Sequence, residues 1–317
     1  MDLLLIAIGL IALTTGGEAV VRGALAAGKR LGISPLLAGL VIVGFGTSAP
    51  ELVVSVSAAL ERQPDIALGN VVGSNIGNVL LILGVCAIIT PLTITRLALV
   101  RDGLSVVGAS ALFLVLVWGS ALVRWDAAIL LVALAGYLIW AYISESRPQS
   151  AAGAIHRQEG AQITVLPGRP ITTALALLGG LVLLVTGSQA LLWGAMGLAG
   201  SMGVSEAVIG LTVVALGTSL PEFAVSLLAA LRGRADVAVG NILGSNLFNL
   251  LGILGISALL QPLPVSPRML IFDQWVMLAS ALLLLLVLYT GHRISRTEGA
   301  LLVAGYTAYV TASFTLF

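Results

Sequence analysis

Charge is scarce in this sequence. Asp, Glu, Lys and Arg make up 9% of its 317 residues, whereas AVILMFWYC make up 59% and the mean hydropathy is +1.11. A water-soluble domain carries roughly 25% charged residues to cover its surface, so most of this surface faces lipid. The 15 cationic side chains, all Arg but Lys29, nearly cancel the 14 acids and leave +1. A balance that even builds no field for a nucleic acid, and that class of partner drops out. Cysteine is limited to Cys86, inside an apolar run, and histidine to His156 and His292, both in polar connections. Neither a disulfide framework nor a His/Cys metal site can be assembled from them.

What is present is a series of long apolar runs. About 20 apolar residues span a ~30 Å hydrocarbon core. That ruler marks ten candidate spans at approximately 3–27, 33–60, 65–90, 102–123, 126–144, 171–199, 204–230, 236–261, 269–290 and 298–316. The expected fold is therefore an all-α integral membrane protein of ten transmembrane helices. The first span follows Asp2 with no basic flank and no A-x-A site, so it reads as a retained helix. A polar stretch at 147–169 is too short for a regulatory domain and divides the chain into 1–146, a linker, and 170–317. With the N-terminus outside, twelve cationic residues fall on the inner side and only Arg62, Arg124 and Arg268 on the other. Both termini are expected to be extracytoplasmic.

A repeat underlies the spans. Shifting the chain by 171 residues aligns LVIVGFGTSAPELVVSVSAAL (40–60) with LTVVALGTSLPEFAVSLLAAL (211–231), and DIALGNVVGSNIGNVLLILG (65–84) with DVAVGNILGSNLFNLLGILG (236–255). Over 40–84, 24 of 45 positions are identical, and the identities gather on polar residues and glycines. Polar groups in hydrocarbon are costly and need a reason. Five spans precede the second copy's first span, and an odd number reverses direction, so the expectation is two inverted five-helix repeats, the plan of a secondary transporter.

The chemistry gathers at two points of each copy. Pro50 and Pro221, among Gly44, Gly46 and Gly217, should break their helices near mid-membrane. Ser48-Ala49-Pro50-Glu51 also matches a capping box, which predicts a new half-helix starting at Ser48. Glutamine would cap without placing charge in lipid, so Glu51 and Glu222 are read as more than caps: two carboxylates among hydroxyls and freed carbonyls form a hard-oxygen cage. Such a cage suits Ca²⁺, with its 6–8 oxygen ligands, and can be shared among Na⁺ ions. Ser74 and Asn78 lie i,i+4 on one helical face, as do Ser245 and Asn249. Asn78 and Asn249 are read as ligands, because packing alone would not require an amide. Asn70, Asn75, Asn241 and Asn246 are assigned to freed backbone, and the G-x-x-x-G pairs Gly69/Gly73 and Gly240/Gly244 to helix packing. Asp102, Asp126 and Asp273, near span ends, read as interfacial, and Trp118, Trp125, Trp140 and Trp275 as aromatic belts.

The paired GTSAPE and GTSLPE segments, with GNVVGSN and GNILGSN, resemble the two alpha-repeats of the sodium/calcium exchangers of the cation/calcium antiporter superfamily, in a prokaryotic form without regulatory domains. The resemblance covers nearly the whole chain. It implies a diamond of the second, third, seventh and eighth spans, with alternating access by sliding of the first and sixth. Carried over by motif, the cation ligands would be Thr47, Ser48, Glu51, Ser74 and Asn78 with Thr218, Ser219, Glu222, Ser245 and Asn249, and the carbonyls of Gly44 and Ala215. Several family members carry Asp where this chain has Asn249, which leaves room for K⁺ or H⁺ as a participant. The expected activity is Ca²⁺ exchange against Na⁺, with a Ca²⁺/H⁺ antiporter as the alternative. The expected setting is a prokaryotic inner membrane, with lipid and the transported ions as partners, no cofactor and no obligatory protein partner. An intramembrane hydrolase would need a metal-bound water or an activated nucleophile that no span supplies. A channel filter is usually built from several subunits.

Overall fold

The computed structural model describes residues 1–93, 98–146, 170–201 and 217–315. These residues are almost wholly helical, as they must be where lipid offers the backbone no hydrogen bonds. In chain order they form α1 (Asp2–Leu31), α2 (Pro35–Thr47), α3 (Ala49–Leu60), α4 (Pro64–Ile89), α5 (Val100–Gly119), α6 (Arg124–Ser146), α7 (Pro170–Ser201), α8 (Leu220–Leu231), α9 (Ala235–Leu260), α10 (Met269–Tyr289) and α11 (Arg296–Thr315). Seven are long and apolar enough to cross a membrane, or eight if α2 and α3, bent by 45° at Ser48, count as one span. The linker, the first part of the span at 204–230 and Ala215 lie outside the described residues.

Two layers of packing position the interior. α1 and α7 lie against each other through glycines seven residues apart: Gly9 faces Gly187 and Gly16 faces Gly180, while Gly23 packs on Leu177 and Gly194 on Asp2 and Ile6. A Cβ on Gly16 would stand 2.8 Å from the Gly180 carbonyl oxygen and one on Gly9 2.8 Å from that of Gly187, so the helices run antiparallel with backbones nearly touching. Behind this pair, α9 is the most enclosed span, with 83% of its apolar window buried, and α4 follows with 72%. Gly240 and Gly244 admit α2 so closely that a Cβ would meet the carbonyls of Leu36 and Leu40. Phe45 stacks on Phe248 at 4.4 Å across the same contact.

Both enclosed helices loosen by a π-helical turn beside their asparagines, at Asn78–Leu83 in α4 and Phe248–Ile253 in α9. Such turns free or redirect backbone groups and gather at functional sites. Two-residue antiparallel strands clip the connections: β1 (Leu92–Thr93) pairs with β4 (Arg293–Ile294), and β2 (Ala121–Leu122) with β3 (Leu263–Pro264).

Asp102 and Asp273, near their span ends, are enclosed by the protein itself. Asp102 is fully buried, taking Arg101 Nε at 2.6 Å and the Tyr137 hydroxyl at 2.8 Å, and so ties the start of α5 to α6. Asp273, 171 residues on, takes Arg268 Nε at 3.1 Å and the Tyr309 hydroxyl at 3.0 Å, tying α10 to α11. A buried carboxylate needs such partners. Trp118, Trp125, Trp140 and Trp275 are exposed on the outer surface, as aromatic belts require.

Candidate functional site

Four elements converge on one buried polar cluster: the α2–α3 bend, α4, the start of α8, and α9. Pro50 sits in the first turn of α3 and Pro221 in that of α8, where no intrahelical donor is lost. Glu51 and Glu222 follow directly, each 1% exposed. The capping box predicted at Ser48 does not form. The Ser48 hydroxyl instead crosses to Glu222 Oε1 at 3.0 Å, and the Ser219 hydroxyl crosses to Glu51 Oε1 at 3.3 Å. Each carboxylate is thus held by the hydroxyl of the other copy.

The same reciprocity extends outward. Thr47 donates to Asn241 Oδ1 at 3.1 Å, and Thr218 to Asn70 Oδ1 at 3.5 Å. Asn70 Nδ2 donates to the Glu51 carbonyl at 3.3 Å and to Ser55 Oγ at 2.9 Å; Asn241 Nδ2 meets the Glu222 carbonyl at 3.2 Å and Ser226 Oγ at 2.9 Å. Asn70 and Asn241 therefore anchor the first turn of each half-helix. Ser74 lies 3.3 Å from the Ser219 hydroxyl, and Ser245 donates to the Gly44 carbonyl at 3.1 Å. That carbonyl also accepts the Ser48 N–H at 3.2 Å, so Gly44 is already engaged within the protein.

Four atoms in this cluster have no partner among the described residues: Glu51 Oε2, Glu222 Oε2, Asn78 Oδ1 and Asn249 Oδ1. All four are acceptors, all are buried, and the 171-residue shift converts each into another. An unsatisfied buried polar group costs about 1–3 kcal/mol, more when it is charged, so leaving four together is expensive unless something with a positive charge meets them. Two carboxylates and two amide oxygens are hard ligands without sulfur or imidazole, the set that suits Na⁺ or Ca²⁺. Among the described residues, no three of His, Cys, Asp and Glu gather as a transition-metal site would require.

Sequence reasoning had placed ten side chains and two carbonyls here. The structure brings Thr47, Ser48, Glu51, Ser74, Asn78, Thr218, Ser219, Glu222, Ser245, Asn249 and the Gly44 carbonyl to this cluster. Ser55 and Ser226 join the cluster's edge without having been expected there. Their identity in the two copies was the available signal, but nothing marked their hydroxyls as the seats of Asn70 and Asn241.

The profile of the family described as sodium/calcium exchanger protein matches residues 1–143 and 172–315. The chain belongs to the sodium/calcium exchanger family. Among relatives of this exchanger, the sodium/calcium exchanger MaX1 of Methanosarcina acetivorans is 32% identical over 350 residues, covering 99% of each chain. The inner membrane protein YrbG of Escherichia coli is 32% identical over 320 residues, 98% of this chain and 96% of its own. A solved structure of the sodium-calcium exchanger NCX_Mj, soaked with zero Na⁺ and Ca²⁺, superposes with a TM-score of 0.82 at 28% identity, over 100% of this chain and 99% of that one. Family membership accounts for the apolar helices and supports cation/calcium antiport as the class of activity.

Proposed function

We propose that this chain is a secondary-active antiporter that exchanges Na⁺ for Ca²⁺ by alternating access at one shared central site. The observation that carries the reading is the quartet of buried, unpartnered oxygens on Glu51, Glu222, Asn78 and Asn249. Two negative charges neutralise one Ca²⁺ or two Na⁺, so either cargo leaves the dry interior uncharged, which a low dielectric favours. Thr47, Ser48, Ser74, Thr218, Ser219 and Ser245 complete the shell by turning their hydroxyl oxygens to the ion. The Gly44 carbonyl joins when Ser245 releases it, and Ala215 supplies the matching carbonyl. Ten helices in two inverted repeats, 1–146 and 170–317, give the site the same face toward either side of the membrane. α1 and α7, joined by their glycines, slide past the remainder. The excess of Arg on alternate connections orients both termini outward in a prokaryotic inner membrane.

The test is Ca²⁺ uptake into proteoliposomes loaded with Na⁺, with K⁺, or with an acidic interior, each diluted into choline buffer. Uptake confined to Na⁺-loaded vesicles is the expected result. Uptake driven equally by K⁺ loading defeats the Na⁺/Ca²⁺ reading, and uptake driven by the pH gradient alone replaces it with Ca²⁺/H⁺ antiport.

A further inference from the structure

The side-chain amides around the site form a closed lattice whose direction is set by the backbone. Asn75 Nδ2 donates to the Asn246 carbonyl at 3.2 Å, and Asn246 Nδ2 donates to the Asn75 carbonyl at 3.3 Å. A carbonyl oxygen only accepts, so the end of Asn75 that faces it must be the NH₂ and the other end must be Oδ1. Asn75 Oδ1 in turn faces Asn249, 3.1 Å from its Nδ2, and Asn246 Oδ1 faces Asn78 Nδ2 at 3.0 Å. Each of these contacts forces the outer amide to spend its NH₂ on the lattice. The oxygens of Asn78 and Asn249 are then the ends left over, and they are the two amide oxygens without a partner. Every amide orientation here is fixed in turn from the backbone carbonyls, with one solution at each step.

We propose that Asn75 and Asn246 are positioning residues that fix the polarity and the charge of the ion site. They hold Asn249 and Asn78 with oxygen, never nitrogen, toward the cation. They also keep both positions neutral: an ionised Asp in place of Asn249 would set a carboxylate oxygen against Asn75 Oδ1, an acceptor against an acceptor. Turning Asn75 to relieve that contact would aim its own oxygen at the Asn246 carbonyl. The lattice thus limits the cage to the two charges of Glu51 and Glu222. Ca²⁺ recognition should depend on it more than Na⁺ recognition, since a divalent ion needs more oxygens and tolerates a misdirected NH₂ less.

This inference rests on the exchange reading for its ion but not for its geometry, and the experiment separates the two. Wild type, Asn75→Ala, Asn249→Asp and the double variant are purified in detergent at pH 8. Each is melted without Na⁺ or Ca²⁺ and then titrated with Ca²⁺ and with Na⁺ by calorimetry. Asn75→Ala removes the acceptor that conflicts with the new carboxylate, so Asn249→Asp should lower the melting temperature less in that background than in the wild type. The matching coupling in Ca²⁺ affinity should be about tenfold, within the usual range for residues in direct contact. Asn75→Ala alone should weaken Ca²⁺ more than Na⁺. Additive melting shifts and additive affinities would overturn the proposal, as would equal weakening of both ions by Asn75→Ala. A wild type that binds no Ca²⁺ would sink the exchange reading alone, and the ion-free melting cycle would still decide the lattice. Should Asn75→Ala fail to fold, Asn246→Ala with Asn78→Asp provides the same cycle from the other copy.

Discussion

The helices that form the site and the pair that packs beside them follow the same 171-residue repeat but preserve different things. Around the site, chemistry is preserved: Ser48 and Ser219, Asn75 and Asn246, Asn70 and Asn241 make the same bonds from opposite sides. In α1 and α7 the glycine spacing is preserved, but the charged residues are not. Glu18 of α1 holds Arg22 at 2.6 Å and reaches Arg232, just past α8, at 3.2 Å, whereas 171 residues on stand Gln189 and Trp193. The difference separates two demands. On the proposed alternating access, an ion reached from either side needs like ligands on both, so each copy carries them. Two helices that pack against each other need close backbones, which glycine at every seventh residue allows.

The largest expected effect tests the equivalence of the two copies at the site. Glu51→Gln and Glu222→Gln should each weaken Ca²⁺ binding by more than a hundredfold and to a similar degree, since losing one partner of a buried charge cluster costs about 3–5 kcal/mol. Calorimetry on both variants checks it, and near-normal affinity in either one would break the symmetry. Next comes the glycine seam. Gly16→Leu and Gly180→Leu push a side chain into the facing carbonyl, at 2.8 Å in each direction. Both should lower the melting temperature, by an overpacking penalty of about 1–3 kcal/mol. Unchanged melting in both would show that the close approach contributes nothing. The smallest effect belongs to Glu18→Gln. Its ion pair with Arg232 is partly exposed and worth at most about 1 kcal/mol, so melting in 0.15 M salt should barely move. A loss as large as that of the glycine variants would place Glu18 among the structural essentials.

Much of the site was legible because the repeat marked it: a polar residue kept twice in apolar surroundings is kept for a reason. The bend at Ser48 was legible from Pro50. Local pattern misled where a distant partner competes. Ser48-x-x-Glu51 and Ser295-x-x-Glu298 share one capping signature, yet only the second closes into a box, with the Ser295 N–H donating to Glu298 Oε2 at 2.7 Å. At the start of α11 nothing else claims that carboxylate. At Ser48 the hydroxyl finds Glu222, 174 residues away, and leaves its own helix. The partners of Asp102 and Asp273 were hidden for the same reason. Position along a span gives depth in the membrane, but Tyr137 and Tyr309 arrive from other helices. The π-helical turns left no trace in composition, and the amide lattice depends on backbone carbonyls whose positions only the fold defines.

On the proposed exchange, Ca²⁺ and Na⁺ use the same four oxygens in turn. Ca²⁺ titration of the purified wild type at increasing fixed Na⁺ tests it most directly. The expected result is one Ca²⁺ per chain, with an apparent affinity that falls steadily as Na⁺ rises while the stoichiometry stays at one. Ca²⁺ affinity indifferent to Na⁺, or a bound Ca²⁺ that persists in the Glu51→Gln/Glu222→Gln double variant, would contradict a shared site.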